Sequence, residues 1–175
     1  MLLICFNLFS VHYEWEGSSE IQSLHDLFLS SFLQNYQKLG LTEADLATDD
    51  IEKVLNAYWN EELACINNNS IRWIVAKDQD EIVGYASFDT NHSPDEVFVQ
   101  LICVKPEYQG QGIGKNLLYS IFQVEDKIHK LSLVTRRVNR SAIAFYKRLG
   151  FEENVFLDKK TNVDKSLCVQ LEKFF

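Results

Sequence analysis

Apolar and polar positions follow two different periods along this chain of 175 residues. Over residues 19–38 the apolar side chains Ile21, Leu24, Leu27 and Phe28 recur at helical spacing; Leu39 continues the series and Gly40 follows as a C-cap would. A second helix is predicted from Asp49 and Asp50, whose carboxylates suit a helix N-terminus, to about Cys65. The polar run Asn67-Asn68-Asn69-Ser70 reads as a turn. The remaining strands follow a shorter period. Residues 3–13 read as a first strand, and Ile71–Lys77 and Glu81–Asp89 as two strands joined at Asp78-Gln79-Asp80 in a hairpin. Glu96–Val104 is a third, strongly apolar run. Gly112–Gln123 is predicted helical, Lys130–Val138 a strand, and Ser141–Leu149 a helix closed by Gly150. Glu152–Asp158 and Ser166–Phe174 complete the chain as strands. The order β-α-α-β-β-β-α-β-α-β-β predicts a single mixed α/β domain over residues 1–175, with about seven strands and four helices.

Composition narrows the class. Hydrophobic residues at 46% and charged residues at 24% suit a globular chain rather than a disordered one. No apolar run approaches the roughly 18 residues of a membrane-spanning helix, so no membrane partner is expected. The start MLLICFNLFSV is apolar but lacks the basic region and small-residue cleavage site of a signal peptide. It is read as the first strand of an intracellular, cytoplasmic protein. Cys5, Cys65, Cys103 and Cys168 are far apart, with no C-x-x-C pair and no His at ligand spacing; reduced thiols and no metal site are expected.

Charge is unevenly spread beneath a net value of −8. Residues 1–70 carry eleven acids against two lysines, a balance of −9, whereas residues 105–148 carry nine Lys or Arg against three acids, a balance of +6. An acidic whole disfavours nucleic acid as a partner, because such binding rests on phosphate neutralisation. A basic segment inside it suits a compact anion.

That segment contains three of the seven glycines within five residues, Gly110, Gly112 and Gly114. They lie in Tyr108-Gln109-Gly110-Gln111-Gly112-Ile113-Gly114-Lys115, between a strand and the apolar helical stripe Ile113, Leu117, Leu118 and Ile121. A glycine turn feeding a helix N-terminus aims several backbone N–H groups at one spot, where the helix dipole also favours negative charge. The physics is that of a phosphate or pyrophosphate cradle. A P-loop is excluded by spacing and by Asn116 after Lys115; a dinucleotide fingerprint would need its third glycine at 115 or 117.

Read as Q-x-x-G-x-G over Gln109, Gly112 and Gly114, the turn resembles the pyrophosphate-binding motif of the GNAT superfamily of N-acetyltransferases. The resemblance extends upstream through Leu101–Tyr108 and downstream to Asn139–Phe151, which looks like the family's N-x-x-A-x-x-x-Y-x-x-x-G-F segment. It is specific over residues 97–151. What it implies is a mostly antiparallel sheet splayed between strands 4 and 5, with acetyl-CoA in the gap and no metal. Ile102, Cys103 and Val104 would line the pantetheine through backbone groups, with an amide near Ile102 for the thioester oxygen. Gln109, Gly110, Gln111, Gly112, Ile113, Gly114 and Lys115 would hold the pyrophosphate. Asn139 and Phe145 would touch the pantetheine arm, and Tyr146 would protonate the departing thiolate as general acid. Attack on a thioester needs such groups: N–H donors for the developing oxyanion and a protonated phenol for the thiolate. For Tyr146 the residue-level alternative is core packing beside Phe145 and Leu149; for Asn139 it is the helix N-cap.

Two roles stay open. The amine must lose a proton, yet the strand-4 positions at which family members often carry Glu or His are Phe98 and Gln100 here. Alternation groups Glu96 with these two, so Glu96 is the candidate base acting through water, with Glu14, Asp89 and His92 as further candidates. The acceptor is expected to be a small, cationic primary amine drawn to an acidic rim at Glu43, Asp45, Asp49 and Asp50. Protein or peptide acetylation and a non-catalytic acyl-CoA binding module are the alternatives. A transferase acting on charged tRNA is disfavoured by the acidic balance, and exposed strand edges make a homodimer reasonable.

Overall fold

The structure is a computed structural model and describes residues 10–12, 18–46, 50–67, 71–124, 128–154 and 167–175. Seven strands form one sheet in the order β1-β2-β3-β4-β5-β7-β6. They are β1 (Ser10–His12), β2 (Ile71–Asp78), β3 (Glu81–Ser93), β4 (Glu96–Val104), β5 (Lys130–Arg136), β6 (Glu152–Asn154) and β7 (Cys168–Phe174). Only the β4–β5 pair is parallel, and α3 (Ile113–Val124) is the crossover that joins it. The other helices are α1 (Ser18–Lys38), α2 (Ile51–Asn67) and α4 (Arg140–Arg148). The element order is the one the periodicity predicts. The first strand lies at Ser10–His12 within the described residues, and the sixth ends at Asn154, with 155–166 outside them. Among the described residues, no helix is long and apolar enough to cross a membrane.

Both faces of the sheet are buried. One core packs the α3 stripe Ile113, Leu117, Leu118 and Ile121, with Tyr146 from α4, against Val83, Ala86, Val97, Val99, Leu131 and Leu133. The other packs Leu24, Leu27 and Phe28 of α1 and Leu55 and Trp59 of α2 against Trp73, Tyr85 and Cys103. Gly40 closes α1 with φ +65°, its N–H reaching Gln37 and that of Leu41 reaching Tyr36, the paired bonds of a left-handed helix cap.

Two features of β4 set up the site. Its pairing with β5 runs from Glu96↔Lys130 to Val99↔Leu133 and stops there, so the strands part over 100–104. At the same point the β3–β4 register slips, from Ser87↔Leu101 to Phe88↔Val99, leaving Gln100 as the extra residue of a bulge. A bulge reverses the alternation. Val97 and Val99 face α3, but Leu101 and Cys103 face α1 and α2.

Candidate active site

Where β4 and β5 part, a cleft of about 760 Å³ passes through the sheet. On one side it is walled by Phe28, Ser31, Phe32 and Tyr36 of α1 and Tyr58 of α2; on the other it meets Phe145 and Tyr146 of α4. Its size is that of a small-molecule site.

The β4 wall is a strand edge, on the β5 side, that no neighbouring strand pairs beyond Val99. Lys105 N–H donates to Val83 in β3 at 2.9 Å. Backbone groups alternate between the two neighbours of a strand, so Cys103 also turns to β3 while Ile102 and Val104 turn to the gap. The side chains point differently: Ile102 and Val104 pack on the α3 core, and Cys103 is buried on the α1–α2 side. Burial pushes the Cys103 thiol up to about 12. A thiol so far from ionising is a poor nucleophile. Iodoacetamide at pH 8 is therefore expected to leave Cys103 unmodified in the native protein and to label it only on unfolding; intact-mass and peptide mass spectrometry check this.

The glycine turn sits at the mouth of the cleft. Pro106–Tyr108 form a single 3-10 turn, and the Tyr108 hydroxyl donates to Asp78 at 3.0 Å, tying the turn to the β2–β3 hairpin. Gly110 and Gly112 have φ +78° and +86°, which side chains on L residues rarely tolerate, and nothing lies within 4 Å of the position of a Cβ on either. Gly114 is needed for another reason: a Cβ there would meet the Phe145 ring at 3.3 Å. The first α-helical bond of α3 is Asn116 N–H to Gly112, which leaves the Ile113, Gly114 and Lys115 amides as the orphan donors of its first turn. Two side chains turn inward on the loop: the Gln109 side-chain amide donates to the Val104 carbonyl and that of Gln111 to the Glu107 carbonyl, each at 3.0 Å. Gln109, Gly110, Gly112, Ile113, Gly114 and Lys115 line the cleft; Gln111 does not. The charged residues in its lining are Lys115, Arg136 and Arg148.

The second motif resolves into helix-end chemistry. Asn139 is the N-cap of α4, its Oδ1 accepting the Ala142 N–H at 3.2 Å and the Ser141 hydroxyl at 3.0 Å, and it also lines the cleft. At the other end Gly150 has φ +87°, its N–H reaches Lys147, and the Phe151 N–H reaches Tyr146. This cap sets Phe151 edge-on against Tyr146, with ring centroids 5.5 Å apart. Phe145 lies on the other side of Tyr146 at 5.1 Å. The phenol is thus clamped between two rings, and burial pushes its ionisation well above the ordinary phenol range, so it stays protonated at neutral pH.

Several expectations are corrected. Glu96 lies at the end of β4 that stays paired, away from the cleft; its carboxylate is ion-paired with Lys130 at 2.8 Å and accepts the Ser132 hydroxyl. Of Glu96, Phe98 and Gln100, the three grouped by alternation, Gln100 lines the cleft and Glu96 does not. Asp89 accepts the Asn91 N–H at 2.7 Å and does not line the cleft, while Glu14 and the His92 side chain lie outside the described residues. The described acids of the expected rim are not in the cleft lining. Asp45 accepts the Thr42 N–H and hydroxyl, which hold its carboxyl below the usual range, and Asp50 caps α2 through the Lys53 N–H at 3.0 Å. Asp49 is outside the described residues, and neither Glu43 nor any other acid is in the cleft lining.

The sequence reading missed Glu62. It sits on the buried stripe of α2 with Leu55 and Trp59, at 7% exposure, and Oε1 has no hydrogen-bond partner. An acid at a core position of an amphipathic helix was the available signal. Burial raises its carboxyl to about 7, with Ser87 alongside pulling the other way. Because the folded-state value is raised, the native protein holds this proton more tightly than the unfolded chain. The contribution to stability is full below about pH 4.5 and is lost as pH climbs to about 7, on the order of 3 kcal/mol across the window. Thermal melts at pH 5 and pH 8 are expected to show Glu62→Gln gaining stability relative to the wild type at the higher pH.

The comparisons with known proteins fall in line with this geometry. The model of the acetyltransferase (GNAT) family matches residues 21–151. The chain belongs to that family. It is 34% identical over 98 residues to the N-alpha-acetyltransferase RimI of Mycobacterium tuberculosis, covering 55% of this chain and 60% of the relative. It is 41% identical over 61 residues to the [ribosomal protein bS18]-alanine N-acetyltransferase of Escherichia coli, covering 34% of this chain and 41% of the relative. The matched stretches thus span about half the length of these relatives. In fold it is similar to the PaiA N-acetyltransferase of Thermoplasma acidophilum, solved in complex with coenzyme A, at a TM-score of 0.70 and 17% identity over 95% of this chain and 99% of that one.

Proposed function

We propose that this chain is an N-acetyltransferase that moves the acetyl group of acetyl-CoA to a primary amine by direct attack on the thioester. The observation that carries the reading is that one cleft brings together a free strand edge, a glycine cradle with positive charge beside it, and a clamped, protonated phenol. The residues fit the donor. Ile102 and Val104 offer strand-edge backbone groups to the pantetheine amides, and an amide at Ile102 suits the thioester oxygen, where negative charge develops. The open faces of Gly110 and Gly112 and the first-turn amides of α3 suit the pyrophosphate, with Lys115 and Arg148 nearby in the lining. Phe145 and Asn139 border the arm, and Tyr146 gives its proton to the leaving thiolate. The inert Cys103 favours direct transfer over an acyl-cysteine intermediate.

The acceptor enters from the α1–α2 side, past Phe28, Phe32, Tyr36 and Tyr58. A small primary amine is the first acceptor class. A peptide α-amine is the second reading, favoured by walls that are aromatic and carry no acid and by the alanine and α-amine acceptors named for two relatives. The test is a screen in which protein and acetyl-CoA meet polyamines, amino acids, aminoglycosides and short peptides with free N-termini, with thiol release and product mass followed together. An acetylated amine is expected. Donor binding with no product from either acceptor class would leave a binding module instead.

A further inference from the structure

Four polar groups on the α1–α2 side of β2 and β3 are buried without a hydrogen bond of good geometry among the described residues: Glu62 Oε1 and Ser87 Oγ, which lie against each other, the Tyr85 hydroxyl, which lies against Cys103, and the Trp73 indole N–H. They form one cluster. Trp73 stacks on Tyr85 with centroids 5.3 Å apart, and Tyr85 and Ser87 both lie against Glu62. Ser31 of α1, whose Oγ is also buried without a hydrogen bond, lines the cleft. Leaving such groups unpaired is costly, so their collection in one place calls for a reason. The position supplies it. Ser87 is the register partner of Leu101, next to the bulge at Gln100 where β4 leaves β5, and Glu62 is one helical turn beyond Tyr58, which lines the cleft.

Resting on the transfer reaction above, we propose that Glu62 receives the proton of the acceptor amine, relayed by the Ser87 hydroxyl. Acting through Ser87, Glu62 is a positioning residue. The acceptor arrives as an ammonium, and one proton passes through Ser87 to the Glu62 carboxylate. The neutral amine then forms the C–N bond as the C–S bond breaks. Tyr146 protonates the thiolate, the proton shed by the new amide nitrogen restores the phenol, and Glu62 returns its proton to solvent. One proton is released per transfer, as the overall reaction requires. Acid and base thus work from opposite faces of the sheet, α4 behind the leaving group and α2 behind the nucleophile.

The surroundings suit the task. The titratable groups facing Glu62 are Tyr85 of β3 and Cys103 of β4, both held neutral by burial, and among the described residues no cation offsets its charge. From α1, His25 is engaged with Asn56 Oδ1 at 2.8 Å. A carboxyl titrating near 7 is matched to proton transfer at neutral pH.

The test is the pH profile of kcat/KM for wild type, Glu62→Gln, Glu62→Asp and Ser87→Ala, with an amine that the wild type acetylates. Wild type is expected to gain activity as pH rises through about 7. Glu62→Gln should lose that limb and fall about 10²-fold or more, with acetyl-CoA affinity retained and a melting temperature no lower than that of the wild type. Glu62→Asp should keep a displaced limb, and Ser87→Ala should fall without losing the fold. A Glu62→Gln protein with wild-type rate and limb overturns the proposal and leaves the reaction standing. Failure of the wild type to acetylate any amine overturns the reaction, and this proposal with it.

Discussion

Exchange of Tyr146 for Phe is expected to lower kcat by about 10²–10⁴-fold, the usual worth of one positioned proton donor. Affinity for acetyl-CoA should stay unchanged. The separation is possible because the ring, and not the hydroxyl, holds this residue in place. Tyr146 is clamped by Phe145 and Phe151, and its carbonyl accepts the Phe151 N–H in the cap at Gly150. Phe keeps all of these contacts and removes only the phenol proton. Steady-state rates at saturating amine, paired with calorimetric titration of acetyl-CoA, check both halves. A variant turning over at the wild-type rate would assign the thiolate's proton to another group.

The second large effect is expected at Gly112. Replacement by Ala at φ +86° costs about 1–2 kcal/mol of left-handed strain and places a methyl group where the cradle is open. Gly112 also accepts the first helical bond of α3, so relief of the strain would re-aim the first-turn amides. The dissociation constant for acetyl-CoA should rise by about tenfold or more, since 1.4 kcal/mol is a factor of ten. Gly40→Ala is the control: its φ is +65°, its surroundings are equally open, and it closes α1 outside the cleft lining. It should lose a similar amount of stability in denaturant titrations and keep its affinity. Equal losses of affinity in the two variants would mean that the turn is only a turn.

Much of this was readable from the chain because its signals are local. Gly110 and Gly112 stand where φ is positive, Asn139 caps three residues ahead at Ala142, and Tyr146 and Gly150-Phe151 are the two sides of one helix cap. Each depends on neighbours a few positions away. The errors came where long-range pairing decides. In Glu96–Val104 nearly every position is apolar, so nothing in the pattern marks a bulge at Gln100, after which Leu101 and Cys103 turn to the α1–α2 side. Nor can spacing tell which end of β4 stays bound to β5; that end holds Glu96 against Lys130. The acidic stretch has local roles that spacing does not separate from a rim: Asp45 and Asp50 accept backbone N–H groups of their own turns and do not line the cleft. Glu62 was visible as an acid on an apolar helix stripe, but only the fold reveals that Ser87, paired with the cleft-lining Leu101, lies against it.

The most direct measurement is a single-turnover reaction with acetyl-CoA labelled in the acetyl group, an amine or peptide mixture, and mass analysis of every component. The account predicts that the label appears on an amine nitrogen and CoA is released as free thiol, with no labelled protein at any time point. Label retained on a protein side chain, or donor bound and left intact with every amine, would contradict direct transfer in this cleft.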